Sequence, residues 1–273
     1  TSYSIFLLII LILFFGLYHS TFNNMRILYN LQNKSTLVSN VELFENDLDI
    51  MEVYCRQLLQ SDDFRKVMNY QNTYHPFTDM GNEVRISLAT NVFAESLLPI
   101  TENFIYLPLT DYILNPSYFI TEDRFYQWIK KYPAGEEALW MEYLTNEDYF
   151  YRFLPMDAFT PNYSRSYFMY VIDLGDLFYL DANGVVCFIL ESSELAAMFD
   201  CLQFDNAGFL TVLDQEGREL LQLGNGAVLS SGDIASLDFS EGFASRQSGM
   251  EGITIGTYTS DKTGYTYYYG FPS

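Results

Sequence analysis

The chain has 273 residues, 49% hydrophobic and 18% aromatic, long enough for one large or two modest domains with real cores and too apolar to be disordered. Fourteen basic residues stand against 35 acidic ones, a formal net charge of -21, and without a basic stripe this stretch is a poor partner for nucleic acid or for a surface lying along anionic lipid. Three cysteines (Cys55, Cys187, Cys201) with no CxxC, and two histidines (His19, His75), leave a zinc site almost without ligands and make no disulfide framework.

In chain order, the first signal is Ile5 to Leu17 (IFLLIILILFFGL), which has no polar side chain and lies in an uncharged stretch from Thr1 to Met25. Tyr3 and Tyr18 flank it as interfacial aromatics would. Residues 1–20 are therefore predicted to be a transmembrane helix. A cleaved signal peptide is the rival, but Tyr18-His19-Ser20-Thr21-Phe22 lacks a small-x-small cleavage site. Thr1 is not an initiator methionine, so the chain reads as a fragment, with a second membrane helix expected after Ser273.

Residues 21–62 read as a stalk helix leaving the membrane. Leu37, Val41, Phe44, Leu48, Met51, Cys55 and Leu58 are spaced 4, 3, 4, 3, 4, 3, a heptad seam. The polar side carries Glu42, Glu45, Asp47, Asp49 and Glu52. The seam must be buried on the chain's own body or on a second copy; both are expected, with the upper part on the body. Cys55 could then cross-link a homodimer, although a small buried hydrophobe is its plainer reading.

Next, Ser61-Asp62-Asp63 and Gln71 to Asn82 look irregular, and Glu83 to Leu98 reads as a helix stopped by Pro99. Phe104 to Leu109 is a strand, Tyr112 to Ile120 is extended, and Thr121 can cap a helix over Glu122 to Lys131. Glu136 to Leu144 is a further helix. Tyr149 to Leu154 and Ser166 to Ile172 read as strands. Val185 to Leu190 (VVCFIL) is continuously apolar, so both its faces should be covered. Glu191 to Leu202 switches to helical period, with Ser192 or Ser193 as cap. Gly208 to Asp214 and Arg218 to Leu223 form a hairpin, and Gly252 to Thr259 with Gly264 to Phe271 form another. Gly224 to Gly249 between them reads as loop with a short helix. The fold class is α+β with antiparallel sheets, divided near Leu190 into domains of 63–190 and 191–273.

Catalytic signals fail. The stretch Tyr179 to Leu190 imitates a calcium loop through Asp181, Asn183 and Gly184, but Tyr179 and Leu190 occupy two obligatory ligand positions. No phosphate loop, HExxH or GxSxG occurs, and no carboxylate pair stands out. Asn33-Lys34-Ser35 and Asn162-Tyr163-Ser164 are formal glycosylation sequons.

The phrases GVVCFILESSELAAMFD (Gly184 to Asp200), GFLTVLDQEGRELLQ (Gly208 to Gln222) and TGYTYYYGFP (Thr263 to Pro272) resemble the double-Cache family of bacterial extracellular sensors. That resemblance implies two PAS-like domains, membrane-distal (63–190) and membrane-proximal (191–273), with a small molecule bound in the distal one. The stretch EEALWMEYL followed by FLPMDAF looks most like versions attached to AraC-type transcription regulators; histidine kinases and chemoreceptors carry similar domains. Tyr118, Arg124 and Trp128 partly match the amino-acid-binding pattern, but the spacing departs and no Tyr follows Trp128 where expected, so that ligand is not transferred.

The expected function is non-catalytic ligand sensing on the outer side of a membrane. The expected ligand-binding residues are Tyr106, Trp128, Trp140, Tyr143, Arg152, Tyr170 and Asp173, with the aromatics stacking on the ligand and Arg152 or Asp173 fixing a carboxylate or amine. Trp140 and Tyr143, three apart on a helix, read more readily as core than as ligand contacts. Expected partners are a small molecule or an extracellular protein, the membrane, and a second copy through the stalk; no catalytic residue, cofactor or metal is expected. The rival is a membrane-anchored enzyme with two inward carboxylates.

Overall fold

The computed structural model describes residues 2–68, 100–108, 112–115, 117–121, 124–125, 137–156, 166–175, 184–202, 204, 208–224, 243–248 and 251–272. Helix α1 (Ser2–Gln60) is a single rod of 59 residues, roughly 90 Å long at helical rise. A short α2 (Asp62–Met68) follows. The first sheet contains β1 (Ile100–Leu107), β2 (Tyr112–Leu114), β3 (Phe119–Thr121), β4 (Phe153–Pro155), β5 (Tyr167–Asp173) and β6 (Val185–Glu191). Helix α3 (Glu137–Thr145) lies between β3 and β4 in sequence. After β6 come α4 (Ser192–Ala197) and a 3-10 turn, Asp200–Leu202. The second sheet holds β7 (Phe209–Leu213), β8 (Glu219–Leu223), β9 (Phe243–Ser248), β10 (Glu251–Thr259) and β11 (Thr266–Pro272).

Every strand pair is antiparallel, in the orders β3-β2-β1-β6-β5-β4 and β8-β7-β11-β10-β9. The expected α+β class with two antiparallel sheets is what the chain forms. β6 is central in the first sheet, pairs with β1 and β5, and is buried from Val185 through Leu190. That is why its sequence is apolar without alternation.

Local chemistry accounts for the turns. In the β7–β8 hairpin, Asp214 accepts from the backbone N–H groups of Glu216 and Arg218, and Gly217 takes φ +79°. Arg218 Nε donates back to Asp214 Oδ2 at 2.7 Å.

The heptad seam is buried against the chain's own body from Leu37 to Leu58, in one core cluster with residues of both sheets. Phe44 meets Phe153 and Phe199, and Tyr54 meets Phe188, at ring-centroid distances of 5.5, 5.8 and 6.2 Å. Cys55 is a free thiol inside this core. Glu45 and Asp47, placed by the sequence on the polar side of the helix, are each 1% exposed. They flank the seam, and Glu45 is covered by the β10–β11 turn and by Tyr267 of β11.

The lower helix is different. From Phe6 to Leu31 its described large apolar side chains are 40–70% exposed, Phe14 at 70% and Tyr29 at 40%. Ile5, Leu8 and Ile9 lie outside the described side chains, and among the described residues no helix is long and apolar enough to cross a membrane.

Four further expectations need correction or setting aside. Residues 149–154 are not one strand: a 3-10 turn (Glu147–Tyr149) precedes Tyr151, at φ 60°, and only Phe153–Pro155 pairs. The N-cap of α4 is Glu191, without a side-chain cap bond; Ser193 Oγ instead donates to Glu191 at 2.9 Å. Part of the supposed loop, Phe243–Ser248, is strand β9, laid on β10 by backbone pairing despite a sequence with one strong strand former. The helix expected over 83–98 lies outside the described residues.

Candidate functional site

Alternation along the strands of the first sheet separates two faces. Ile105, Leu107, Phe168, Tyr170, Ile172, Val186, Phe188 and Leu190 face α1. Phe104, Tyr106, Ile113, Met169, Val171, Val185, Cys187 and Ile189 form a second cluster on the opposite face, closed by Phe125 and by Leu144 of α3. Half-buried Tyr118, Tyr143, Tyr149 and Tyr167 surround that outer cluster. It combines a buried apolar cluster with partly buried phenol groups packed against it.

Strand register brings two of the expected residues into one row. Tyr106 of β1 and Asp173 of β5 both pair with Val185 of β6, one from each side. Asp173 Oδ1 accepts the Gly175 N–H at 2.9 Å, which fixes the carboxylate at the end of β5. Tyr143 packs against the same cluster, its ring 5.0 Å from that of Tyr149 and edge-on to it. Burial, with Tyr149 and Glu142 nearby, pushes the Tyr143 phenol above its ordinary pKa. Tyr149 OH donates to Glu142 at 3.1 Å. At the β1 edge Glu102 accepts from Asn115 Nδ2 at 3.2 Å and from Tyr118 OH at 3.3 Å. None of these three was singled out as a group by the sequence, because the partners are joined by pairing of β1 with β2 rather than by spacing.

The other expected residues lie elsewhere. Tyr170 is on the α1 face, fully buried, stacked on Phe153 at 4.6 Å. Arg152, just before β4, reaches the second sheet: its Nε donates to the Glu219 carbonyl at 2.6 Å and its Nη1 to the Asp148 carbonyl at 3.1 Å. Trp140 belongs to α3, but its side chain lies outside those described, and Trp128 lies outside the described residues altogether.

The sequence also missed a buried carboxylate held by three hydroxyls between α1 and the second sheet. Glu45 of α1 accepts from Ser260 Oγ (2.8 Å), Thr263 Oγ1 (2.6 Å) and Tyr267 OH (2.9 Å). Its position beside the heptad seam was the available signal. Among the described residues no group of three or more His, Cys, Asp or Glu could hold a metal ion.

No protein-family model and no curated protein sequence matches the chain. Solved structures do show similarity in arrangement. The ligand-binding domain of the Pseudomonas fluorescens chemoreceptor CtaA in complex with L-alanine matches at 11% identity and TM-score 0.48, over 90% of this chain and 97% of that one. The sensor domain of the V. cholerae histidine kinase DctB matches at 10% identity and TM-score 0.48, over 91% and 98%. The ligand-binding domain of the Pseudomonas aeruginosa amino-acid chemoreceptor PctC, in complex with GABA, matches at 11% identity and TM-score 0.46, over 89% and 98%.

Proposed function

We propose that the chain is the extracellular sensing part of a membrane-anchored receptor, and that a small amine-bearing molecule binds on the outer face of the first sheet. The observation that carries this is the row Tyr106–Val185–Asp173, a phenol and a carboxylate either side of an apolar floor on the face turned away from α1. Asp173 supplies the charge for an ammonium group and the tyrosines supply apolar area and hydroxyls. The resemblance in sequence to double-Cache sensors supports the same reading. The Ile5 to Leu17 run serves as anchor, and the exposure of its described neighbours gives it something to cover.

The seam expected to join two copies is already filled by the chain's own sheets. The homodimer expected from the sequence is therefore assigned, as part of this proposal, to the opposite side of α1, where Leu28, Leu43 and Val53 are 65%, 44% and 50% exposed. The AraC-type output expected from the sequence has no support among the similar structures named above, which are chemoreceptors and a histidine kinase. Gene sequence beyond these residues identifies the output: a DNA-binding helix pair means a transcription regulator, a kinase core a phosphorelay.

The ligand reading is tested by thermal unfolding of the chain in detergent against amino acids and simple amines. Binding at one hundred times Kd should add about 2.7 kcal/mol of apparent stability. The Asp173→Asn variant should bind any hit at least tenfold more weakly, whereas Tyr170→Phe, on the far face, should not. If Asp173→Asn binds as tightly as the parent, the site is elsewhere.

A further inference from the structure

The β10–β11 turn spends its side-chain hydroxyls in two directions. Ser260 Oγ accepts from the Lys262 and Thr263 backbone N–H groups at 3.2 and 3.4 Å, and Thr263 Oγ1 accepts from the Tyr265 N–H at 3.2 Å. The hydrogens of those same two hydroxyls, with that of Tyr267 OH, go to Glu45. Gln215 of the neighbouring hairpin holds the Thr263 carbonyl at 2.8 Å. One turn further along α1, Asp49 pairs with Lys262 of the same turn at 2.5 Å.

We infer that Glu45 is a positioning residue that locks α1 to the second sheet in one axial and rotational setting, so that helix and final hairpin move as one body. A helix shifted by one residue moves a side chain by about 1.5 Å along the axis and about 100° around it. That displacement would break all three bonds to Glu45 and leave a carboxylate in a site 1% exposed, which is strongly disfavoured. The same helix meets the first sheet through rings and aliphatic groups, such as Phe44 on Phe153 and Tyr54 on Phe188. Contacts of that kind have no single preferred bond direction. In the receptor proposed above, on which the signalling role of the lock rests, a change in the first sheet is then passed to α1 and β11 together.

The test needs no ligand. Hydrogen exchange is followed by mass spectrometry on the full chain in detergent. Glu45→Ala should speed exchange in the turn at 260–265 at least tenfold and leave β5 and β6 as in the parent. Thr263→Val should speed the same amides by less. In parallel, Asp49→Cys/Lys262→Cys is treated with a short bis-maleimide, and adding Glu45→Ala should slow its cross-linking several-fold. Unchanged turn exchange or unchanged cross-linking overturns the lock. So does acceleration spread equally over β5 and β6, because Glu45 would then support the whole fold. Where Glu45→Ala does not fold, Tyr267→Phe, which removes a bond to Glu45 and no side-chain bond within the turn, replaces it in both measurements with changes in the same direction of at least twofold, and unchanged turn exchange and cross-linking in that variant overturn the lock. Failure here leaves the ligand site untouched, and absence of a ligand leaves the lock untouched.

Discussion

Tyr267 and Tyr269 sit two residues apart on β11, face the same helix and are both 0% exposed, yet their hydroxyls have opposite fates. Tyr267 OH donates to the Glu45 carboxylate, whereas Tyr269 OH is buried with no hydrogen-bond partner among the described residues. A bond to a charged group contributes about 1.5–3 kcal/mol, while a buried hydroxyl without a partner is a net cost. Tyr267→Phe should therefore lower stability by about 1.5–3 kcal/mol, and Tyr269→Phe should leave it unchanged or raise it by up to about 1 kcal/mol. Urea midpoints of the two variants check this; equal losses would contradict the assignment. Nothing in the run Tyr267-Tyr268-Tyr269-Gly270 distinguishes the two phenols, because the deciding partner is 222 residues away. Arg152 teaches the same lesson. Its charge suggested a ligand, but the carbonyl it meets belongs to Glu219, 67 residues along the chain.

Among the elements, α1 was the most legible and also the most misleading. Its period was plain in the sequence, since seven apolar residues at heptad spacing can only be one buried stripe. What filled the stripe was not legible, because a sheet face and a second helix ask for the same side chains. The burial of Glu45 was hidden as well: the hairpin that covers it lies more than 200 residues away in the sequence. β10 shows the complementary effect. Gly256 is paired with Tyr269, whose ring end lies over it, and a Cβ there would come 2.4 Å from that ring. A glycine that looked like a weak point in a strand is a seat for an aromatic. Two substitutions separate the sides of α1. Leu48→Ala, on the filled seam, should cost about 2–5 kcal/mol of stability. Val53→Glu, on the exposed side, should change stability by less than about 0.5 kcal/mol and, where the chain dimerises through that side, yield monomers in sedimentation. A Val53→Glu chain that remains a dimer would place the contact elsewhere.

At the scale of the whole molecule, both sheets hang on one helix, and the groups that report on this are buried phenols and thiols. Most of the described strands could be read from hydrophobic period and turn residues, because those are local, whereas the order in which they lie in each sheet could not. The face proposed to take the ligand could be read only in part: Tyr106 and Asp173 meet through the register of three strands, which spacing alone does not give. Burial pushes the pKa of Tyr54 and Cys55 in α1, Tyr170 and Cys187 in the first sheet, and Tyr267 in the second sheet above their ordinary values. In the unfolded chain the thiols ionise near pH 8.5 and the phenols near pH 10. Above those values the native state binds more protons than the unfolded one, so stability is fully present at lower pH and falls as pH rises. Each such group contributes a slope of about 1.4 kcal/mol per pH unit. Carboxylates are ionised throughout this range in water and add little. The urea midpoint should thus be flat from about pH 7 to 8, decline above about pH 9 and collapse by about pH 11. Burial pushes the Cys201 thiol up as well, so Cys55→Ala/Cys187→Ala/Cys201→Ala should delay the onset of the decline towards about pH 10, where only phenols remain to be ionised. Because the phenols span the helix and both sheets, the two halves should unfold together, read by the same midpoint in near- and far-ultraviolet circular dichroism. A midpoint at pH 10.5 equal to that at pH 7 would mean that these groups reach water in the folded chain, and that the helix does not sit in the two sheets as described.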